Sequence, residues 1–438
     1  MLHTTKGKST EHALIDIHEK ILNSFEKNES PCCILLDFAK AFDTVDHQIL
    51  LSKLYHYGIR GTTHSLLTSY LTDRQQCVQV NNCISDMEFI SHGVPQGSIL
   101  GPLLFLLYIN DIAQSSKILQ FYLFADDTTI FHSHKNPKTL ESIINNELLH
   151  VTDWLIANKL SLNVKKTKVL LFRPKNESRA AKINIILNGT PIEESEFAKY
   201  LGVIIDNKLS FEHHIKQVKS KLIKGNAIIA KVRNYIPRKL LINVYNAHIQ
   251  PHINYGLNVW GHTADKYLNI VRSQQRKAVR LINFKNRYFK DTDTLFKEMN
   301  ALTLSQNLSL NNSKLLWQVD TNNMMSDLYP LFQKRQDDSH TFFLPYRRLH
   351  LTQSCISYRG VQVWNKIPKR IREANTLDTF KNNYINYLLG KESNPVTRTN
   401  RNATAQRYRR NNNYGRLGPG PRPVFRSRWD DGPIIGLI

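Results

Sequence analysis

The chain has 438 residues and a formal net charge of +23, from 59 Lys and Arg against 36 Asp and Glu. That length allows about two or three domains, and a cationic excess of this size points to a polyanion partner, most simply nucleic acid. Five cysteines without a CxxC pair argue against a disulfide framework and for a reducing intracellular setting, nucleus or cytoplasm; the longest apolar run, Ile99 to Ile112, is broken by Gly101 and Pro102, so no membrane partner is expected.

In chain order, Ala13, Leu14, Ile17, Ile21, Leu22 and Phe25 recur at helical spacing behind Ser9 and Thr10, which predicts a capped helix over 11–27. The run Cys32 to Phe38 after Pro31 is unbroken and apolar, the pattern of a strand covered on both faces, with Asp37 near its end. Helices are predicted over 46–57 and 62–72, then a strand pair at 77–80 and 87–90 with Asn81 and Asn82 between. A Gly/Pro turn, Gly93 to Ser98, leads straight into a helix over 99–112 and presents backbone N–H groups able to face a phosphate or nucleotide. Leu119 to Phe131 reads as a hairpin with Asp126 and Asp127 at its turn. A helix over 138–158 follows, then short strands at 168–173, 183–188 and 200–205, the middle one closing on Asn188 and Gly189.

From about residue 210 the pattern becomes helical and basic, with helices over 211–234, 238–255 and 264–284. Arg272, Arg276 and Arg280 recur every four residues in the last, a stripe that suits either solvent or a nucleic acid. More helix is predicted over 300–390, and after about 393 nine arginines between Arg398 and Arg428 lie in an Asn/Gly/Pro-rich tail that cannot build a core. The whole reads as α+β with a largely antiparallel sheet, followed by an all-α region.

Asp37, Asp126 and Asp127 carry the chemistry of this reading. Adjacent carboxylates between buried strands repel one another, which makes sense mainly beside a divalent cation. If the strand ending in Asp37 lies beside the hairpin, three carboxylates meet at one sheet edge, a set able to hold two Mg²⁺ ions roughly 3.5–4 Å apart, with Mn²⁺ as a substitute, for nucleotidyl transfer.

These residues also resemble a family. The segment from Ile34 to His47, with Asp37, Phe42, Asp43 and Asp46, is similar to the first of the polymerase motifs of reverse transcriptases from LINE-like, non-LTR retrotransposons of the jockey and CR1 type. Gly93 to Phe105 with Tyr108 to Asp111, Leu123 to Asp127, Trp154 to Asn163 with Lys166 and Thr167, Tyr200 to Gly202, and Tyr255, Gly256 with Val259 to Gly261 continue the likeness in order. The resemblance implies a right-hand polymerase palm with partial fingers over 1–206, a helical thumb over 207–300 and a C-terminal helical region over 301–392; the tail over 393–438, expected from its composition to be disordered, matches no part of the family. It implies RNA-directed DNA polymerase activity, with deoxynucleoside triphosphates, an RNA template and a DNA primer or target as partners.

Within it, Asp37, Asp126 and Asp127 would be the metal ligands. Phe42 would exclude a ribose 2′-hydroxyl, or serve as the first core residue of a helix. Gln96 and Gly97 would lie against the incoming nucleotide and template, or simply start the next helix. Lys166 would face the departing pyrophosphate, with Lys165 and Lys168 as competitors. Tyr200, Leu201 and Gly202 would grip the primer, or form a plain core strand. Asp43 and His47 have no assigned chemistry, and Asp46 is expected to cap a helix. Members of the family carry finger strands ahead of the point where this chain starts, an upstream endonuclease and basic triphosphate contacts, so either a 5′-truncated copy or an incomplete gene model is expected. The rival reading is a catalytically defective remnant that only binds nucleic acid.

Overall fold

The computed structural model describes residues 9–173, 182–321, 328–336 and 340–391; the Arg-rich tail expected beyond 393 lies outside the described residues. Helix α1 (Thr10–Glu26) starts where the Ser9 side chain accepts from the His12 amide. It leads into β1 (Ser30–Leu36), α2 (His47–His56) and α3 (Gly61–Leu71). Four two-residue strands follow, β2 (Gln75–Gln76), β3 (Gln79–Val80), β4 (Cys83–Ile84) and β5 (Glu88–Phe89). Then come α4 (Leu100–Ile109), the hairpin β6 (Gln120–Phe124) and β7 (Asp127–His134), α5 (Pro137–Ala157), β8 (Lys168–Leu171), β9 (Ile186–Leu187), β10 (Thr190–Pro191), β11 (Phe197–Tyr200) and β12 (Val203–Asp206). The remainder of the described chain is helical: α6 (Glu212–Val232), α7 (Arg238–His248), α8 (Gln250–Asn254), α9 (Leu257–Trp260), α10 (Asp265–Ile282), α11 (Thr292–Glu298), α12 (Leu304–Asp320), α13 (Val361–Asn365), α14 (Lys369–Arg372) and α15 (Leu377–Leu388).

The main sheet is antiparallel throughout, in the order β6-β7-β1-β8. Its β1 strand is buried on both faces because side chains alternate. Cys32, Ile34 and Leu36 enter a core shared with α2, α4 and α5, while Cys33 enters a second core on the opposite face. That second core joins α1 to the β11–β12 hairpin and to helices as far along the chain as α15. Two sheathing cores explain why the run 32–38 carries no polar alternation. No described helix is long and apolar enough to cross a membrane.

Three local expectations are corrected. The strands predicted at 77–80 and 87–90 do not pair with each other; β3 and β4 form a tight hairpin around Asn81 and Asn82, and β2 pairs β5 outside it. Both asparagines sit at positive φ, 47° and 68°, the conformation a two-residue hairpin turn demands. The segment 200–205 is a turn and the start of a second strand, since Leu201 and Gly202 reverse the chain between β11 and β12. Finally, the helix predicted over 238–255 ends at His248 and restarts as α8 with Pro251 in its first turn. Proline has no N–H to continue the α7 ladder, but it suits a helix start.

Candidate active site

The β1–β7 register pairs Leu36 with Thr128, so one step further Asp37 stands opposite Asp127. On the other side Phe124 pairs with Asp127, leaving Ala125 and Asp126 as the hairpin turn. Ala125 holds φ +52°, a conformation that costs an alanine free energy and that flanking strands must impose. Asp37 and Asp127 line a cavity of about 360 Å³ together with Lys166, Lys168, Lys199 and Phe197.

Asp37 is fixed through its backbone. Its amide donates to Thr167 Oγ1 at 3.3 Å and its carbonyl accepts from the Asn163 amide at 2.7 Å. Lys166 Nζ then lies 3.8 Å from Asp37 Oδ2, the lysine largely open to solvent and the aspartate about half-buried. Lys168 shares the cavity lining, whereas Lys165 is not among the lining residues. The Asp127 carboxyl is pushed above the usual carboxylate range, first by partial burial and then by the charges of Asp126 and Asp37, with Lys199 opposing. Part of this shift is repulsion among carboxylates that Lys166 and Lys199 offset only in part, and a divalent cation is a group that would relieve it.

The three aspartates nevertheless do not close into one cage. Asp126 is exposed at the turn and is not among the residues lining the cavity. Among the described residues no three His, Cys, Asp or Glu side chains stand close enough to hold an ion. Consecutive residues at a strand start point to different sides, which separates Asp126 from the facing pair of Asp37 and Asp127.

The turn after β1 is stapled to the Gly93–Ser98 loop. The Gly93 amide donates to Val45 O at 2.7 Å, the Val94 amide to Phe42 O at 2.8 Å, and the Gln96 side-chain amide to Asp43 Oδ1 at 2.8 Å. His47 Nε2 contacts Gly93 O at 2.7 Å. Asp43 and His47, without a role in the sequence, are thus the clips that hold this loop. Asp46 caps α2 as expected, accepting from the Ile49 amide at 3.0 Å and from Lys159 Nζ at 2.6 Å. Phe42 is not a first helical residue, because the chain between Ala39 and Thr44 is turn and the α2 cap falls at Asp46. Its ring packs half-buried on Phe105, centroids 4.8 Å apart. Gln96 is exposed, and a side chain at Gly97, φ +82°, would meet nothing within 4 Å.

Gly93 leaves no such room: at φ +87° an added Cβ would lie 2.9 Å from Asp43 O. Gly93→Ala is expected to cost about 1–3 kcal/mol of stability and to free the Gln96–Asp43 clip. An unchanged urea midpoint would refute this.

Tyr200 and Leu201 are both buried. The Tyr255 hydroxyl donates to Leu201 O at 2.6 Å, and its ring lies 3.0 Å from where a Gly202 Cβ would be. Of the α10 arginines, Arg272 binds Asp265 at 2.7 Å and Arg280 donates to Phe289 O at 3.0 Å, while Arg276 is exposed. Two of the three are therefore engaged within the protein. Tyr108 and Asp111 are likewise structural: Lys53 Nζ reaches Tyr108 O and Asp111 Oδ1, each at 2.7 Å.

Residues 2–205 match the family described as reverse transcriptase (RNA-dependent DNA polymerase), and this part of the chain is a reverse transcriptase domain. The chain is similar to the probable RNA-directed DNA polymerases from transposon X-element and transposon BS of Drosophila melanogaster, 26% and 28% identical, each over 70% of this chain. It is also 28% identical to the RNA-directed DNA polymerase from mobile element jockey of the same fly, over 62% of this chain. The matches cover 34%, 35% and 30% of those relatives, so the chain spans about a third of their length. A telomerase from Candida albicans solved with a telomeric RNA fragment overlays at a TM-score of 0.31 and 12% identity, covering 68% of this chain and 50% of that one.

Proposed function

We propose that this chain is an RNA-directed DNA polymerase that adds deoxynucleotides to a DNA primer on an RNA template. The observation that carries the reading is the facing pair Asp37 and Asp127, set by strand register in a lysine-flanked cavity of a reverse transcriptase domain. On this reading the β6-β7-β1-β8 sheet with its helices is the palm, the small sheets around residues 75–89 are partial fingers, and α6 to α10 form the thumb.

Asp37 and Asp127 are the residues that would hold Mg²⁺, with Mn²⁺ as substitute; Asp126, on the exposed turn, would complete a two-ion set only by turning inward. Ions held there would favour ionisation of the primer 3′-hydroxyl and offset charge on the departing pyrophosphate. The chain's own part is electrostatic and positional. Lys166, Lys168 and Lys199 present ammonium groups to triphosphate oxygens, and charge-assisted hydrogen bonds of that kind are about twice as strong as neutral ones. Phe42, held by Phe105, would occupy the space of a ribose 2′-hydroxyl and favour deoxynucleotides. Gln96 and Gly97, on a loop clipped to the same turn, would face the nucleotide and template.

The test is extension of a labelled DNA primer annealed to RNA. Elongation that depends on deoxynucleotides and on Mg²⁺ or Mn²⁺ is expected. Absence of extension with either ion, alongside binding that falls steeply with salt, would replace this reading with that of a non-catalytic nucleic-acid binder.

A further inference from the structure

A second cavity, of about 340 Å³, opens where three distant stretches of chain meet, and it shares no lining residue with the cavity at Asp37 and Asp127. Leu209 and Phe211 come from the link between β12 and α6, His262 and Thr263 from the link between α9 and α10, and His350 and Arg359 from the stretch ahead of α13. The size falls in the range of small-molecule sites, roughly 300–1,000 Å³. Its walls are tied without drawing on the enclosed space: Thr263 Oγ1 donates to Ser210 O at 2.7 Å and Ser354 Oγ to Leu351 O at 2.5 Å.

The floor is apolar, with Leu209, Phe211 and Val259 all buried, whereas the rim is a set of donors. Among the described residues neither the Arg359 guanidinium nor the His350 imidazole has a hydrogen-bond or ion-pair partner, although both line the cavity. Arg359 stands on a single π-type turn, Ile356–Gly360, a rare geometry that is frequent at functional sites. His262 adds a directed donor. The Asn312 side-chain nitrogen, which can only donate, lies 3.2 Å from His262 Nε2, so Nε2 accepts and the neutral ring carries its hydrogen on Nδ1. Burial, opposed by the Asn312 bond and joined by the charge of Arg359, holds this imidazole down at about 4, which leaves it neutral near pH 7. The Asp265 carboxylate, also in the lining, is engaged by Arg272 at 2.7 Å. Unpaired cationic and N–H donors above an apolar floor match a phosphate carried on an apolar or aromatic body, because charge-assisted bonds hold the anion while the floor takes the rest.

We propose that this cavity binds a nucleotide unit, its phosphate met by Arg359, His350 and the His262 Nδ1–H and its base laid on the apolar floor. The unit comes from a single strand of nucleic acid or from a free nucleotide, which offer the same chemistry. Neither a metal nor a primer enters the site, so the proposal stands apart from the polymerase reading.

The experiment uses the full chain in EDTA, without primer, and titrates AMP, inorganic phosphate and a labelled single-stranded oligoadenylate. AMP is expected to bind more tightly than inorganic phosphate, since only AMP reaches the floor. Arg359→Gln is expected to raise the AMP Kd roughly 10- to 150-fold, the range for one hydrogen bond to a charged group, and His350→Gln to act in the same direction. Both residues are exposed, so urea midpoints should hold. With the oligoadenylate, Arg359→Gln should reduce the slope of log K against log salt by about 0.7, the share of one phosphate on a single strand. A loss confined to the oligoadenylate assigns the unit to a strand, and one confined to AMP assigns it to a free nucleotide. Inorganic phosphate bound as tightly as AMP, with the same response to Arg359→Gln, overturns the nucleotide in favour of a bare anion site. AMP and oligoadenylate binding that both ignore Arg359→Gln and His350→Gln overturns the proposal altogether. Primer extension is not read, so a failed polymerase reading leaves each of these outcomes intact.

Discussion

Asp127→Asn is expected to reduce primer extension by about 10²–10³-fold or more, the scale on which removing one charge-stabilising group acts at a reacting centre, with primer-template affinity nearly unchanged. The substitution keeps the shape of the side chain and removes the charge that faces Asp37. It also relieves the mutual repulsion that pushes the Asp127 carboxyl upward. Thermal stability at neutral pH should therefore hold or rise, which separates a lost reaction from a lost fold. Extension at the unsubstituted rate, measured in single turnover with Mg²⁺ and again with Mn²⁺, would remove Asp127 from the machinery. Asp37→Asn should behave alike, because register makes the two carboxyls partners.

The second large effect concerns stability. Glu19 is fully buried and accepts from the Ser357 amide and hydroxyl, each at 2.8 Å, with Arg347 3.5 Å away and itself mostly buried. Glu19→Ala leaves those donors and that cation without their acceptor, and is expected to cost about 3–5 kcal/mol. Burial raises the Glu19 carboxyl above its ordinary value, outweighing the opposing help from Ser357 and Arg347. Folding then binds the Glu19 proton more tightly than the unfolded chain does. The contribution is full below the ordinary glutamate range and is lost as pH climbs through the folded-state value. Glu19→Gln, which can still accept from Ser357, should flatten that part of the pH dependence. Urea midpoints followed from acid to neutral pH test both, and an unmoved midpoint for Glu19→Ala would show the network to be unimportant.

What the sequence made legible is what local physics decides. The apolar runs of β1 and β6 are continuous because two cores clothe the sheet, and the placement of Asp37, Asp126 and Asp127 at the ends of apolar stretches was readable for the same reason. The Asp46 cap follows from its position before an apolar helical pattern. The β11–β12 turn was hidden because Leu201 is apolar and prolongs the run, where such turns usually carry Asn-Gly or Asp-Gly. Lys199 and Phe197 became visible as site residues only through tertiary placement, although their out-and-in alternation with Ala198 and Tyr200 was a signal at hand. The Arg272 and Arg280 partners lie seven and nine residues away, a reach that periodicity alone does not show. The divergence of Asp126 from its neighbour depends on turn geometry and had no counterpart in composition.

The bond from Ser357 to Glu19 joins residues 338 apart. A ribosome adding about 5–20 residues per second delivers Ser357 roughly 20 to 70 s after Glu19. Over that interval α1 is already made while the helices that sheathe it are not, whereas the core on the other sheet face draws on residues 32–192 alone. Birth order thus favours the core of residues 32–192 as the early folding unit and leaves α1 to complete its packing late. Its apolar side, together with an unsheltered carboxylate, is the surface a nascent-chain chaperone would meet.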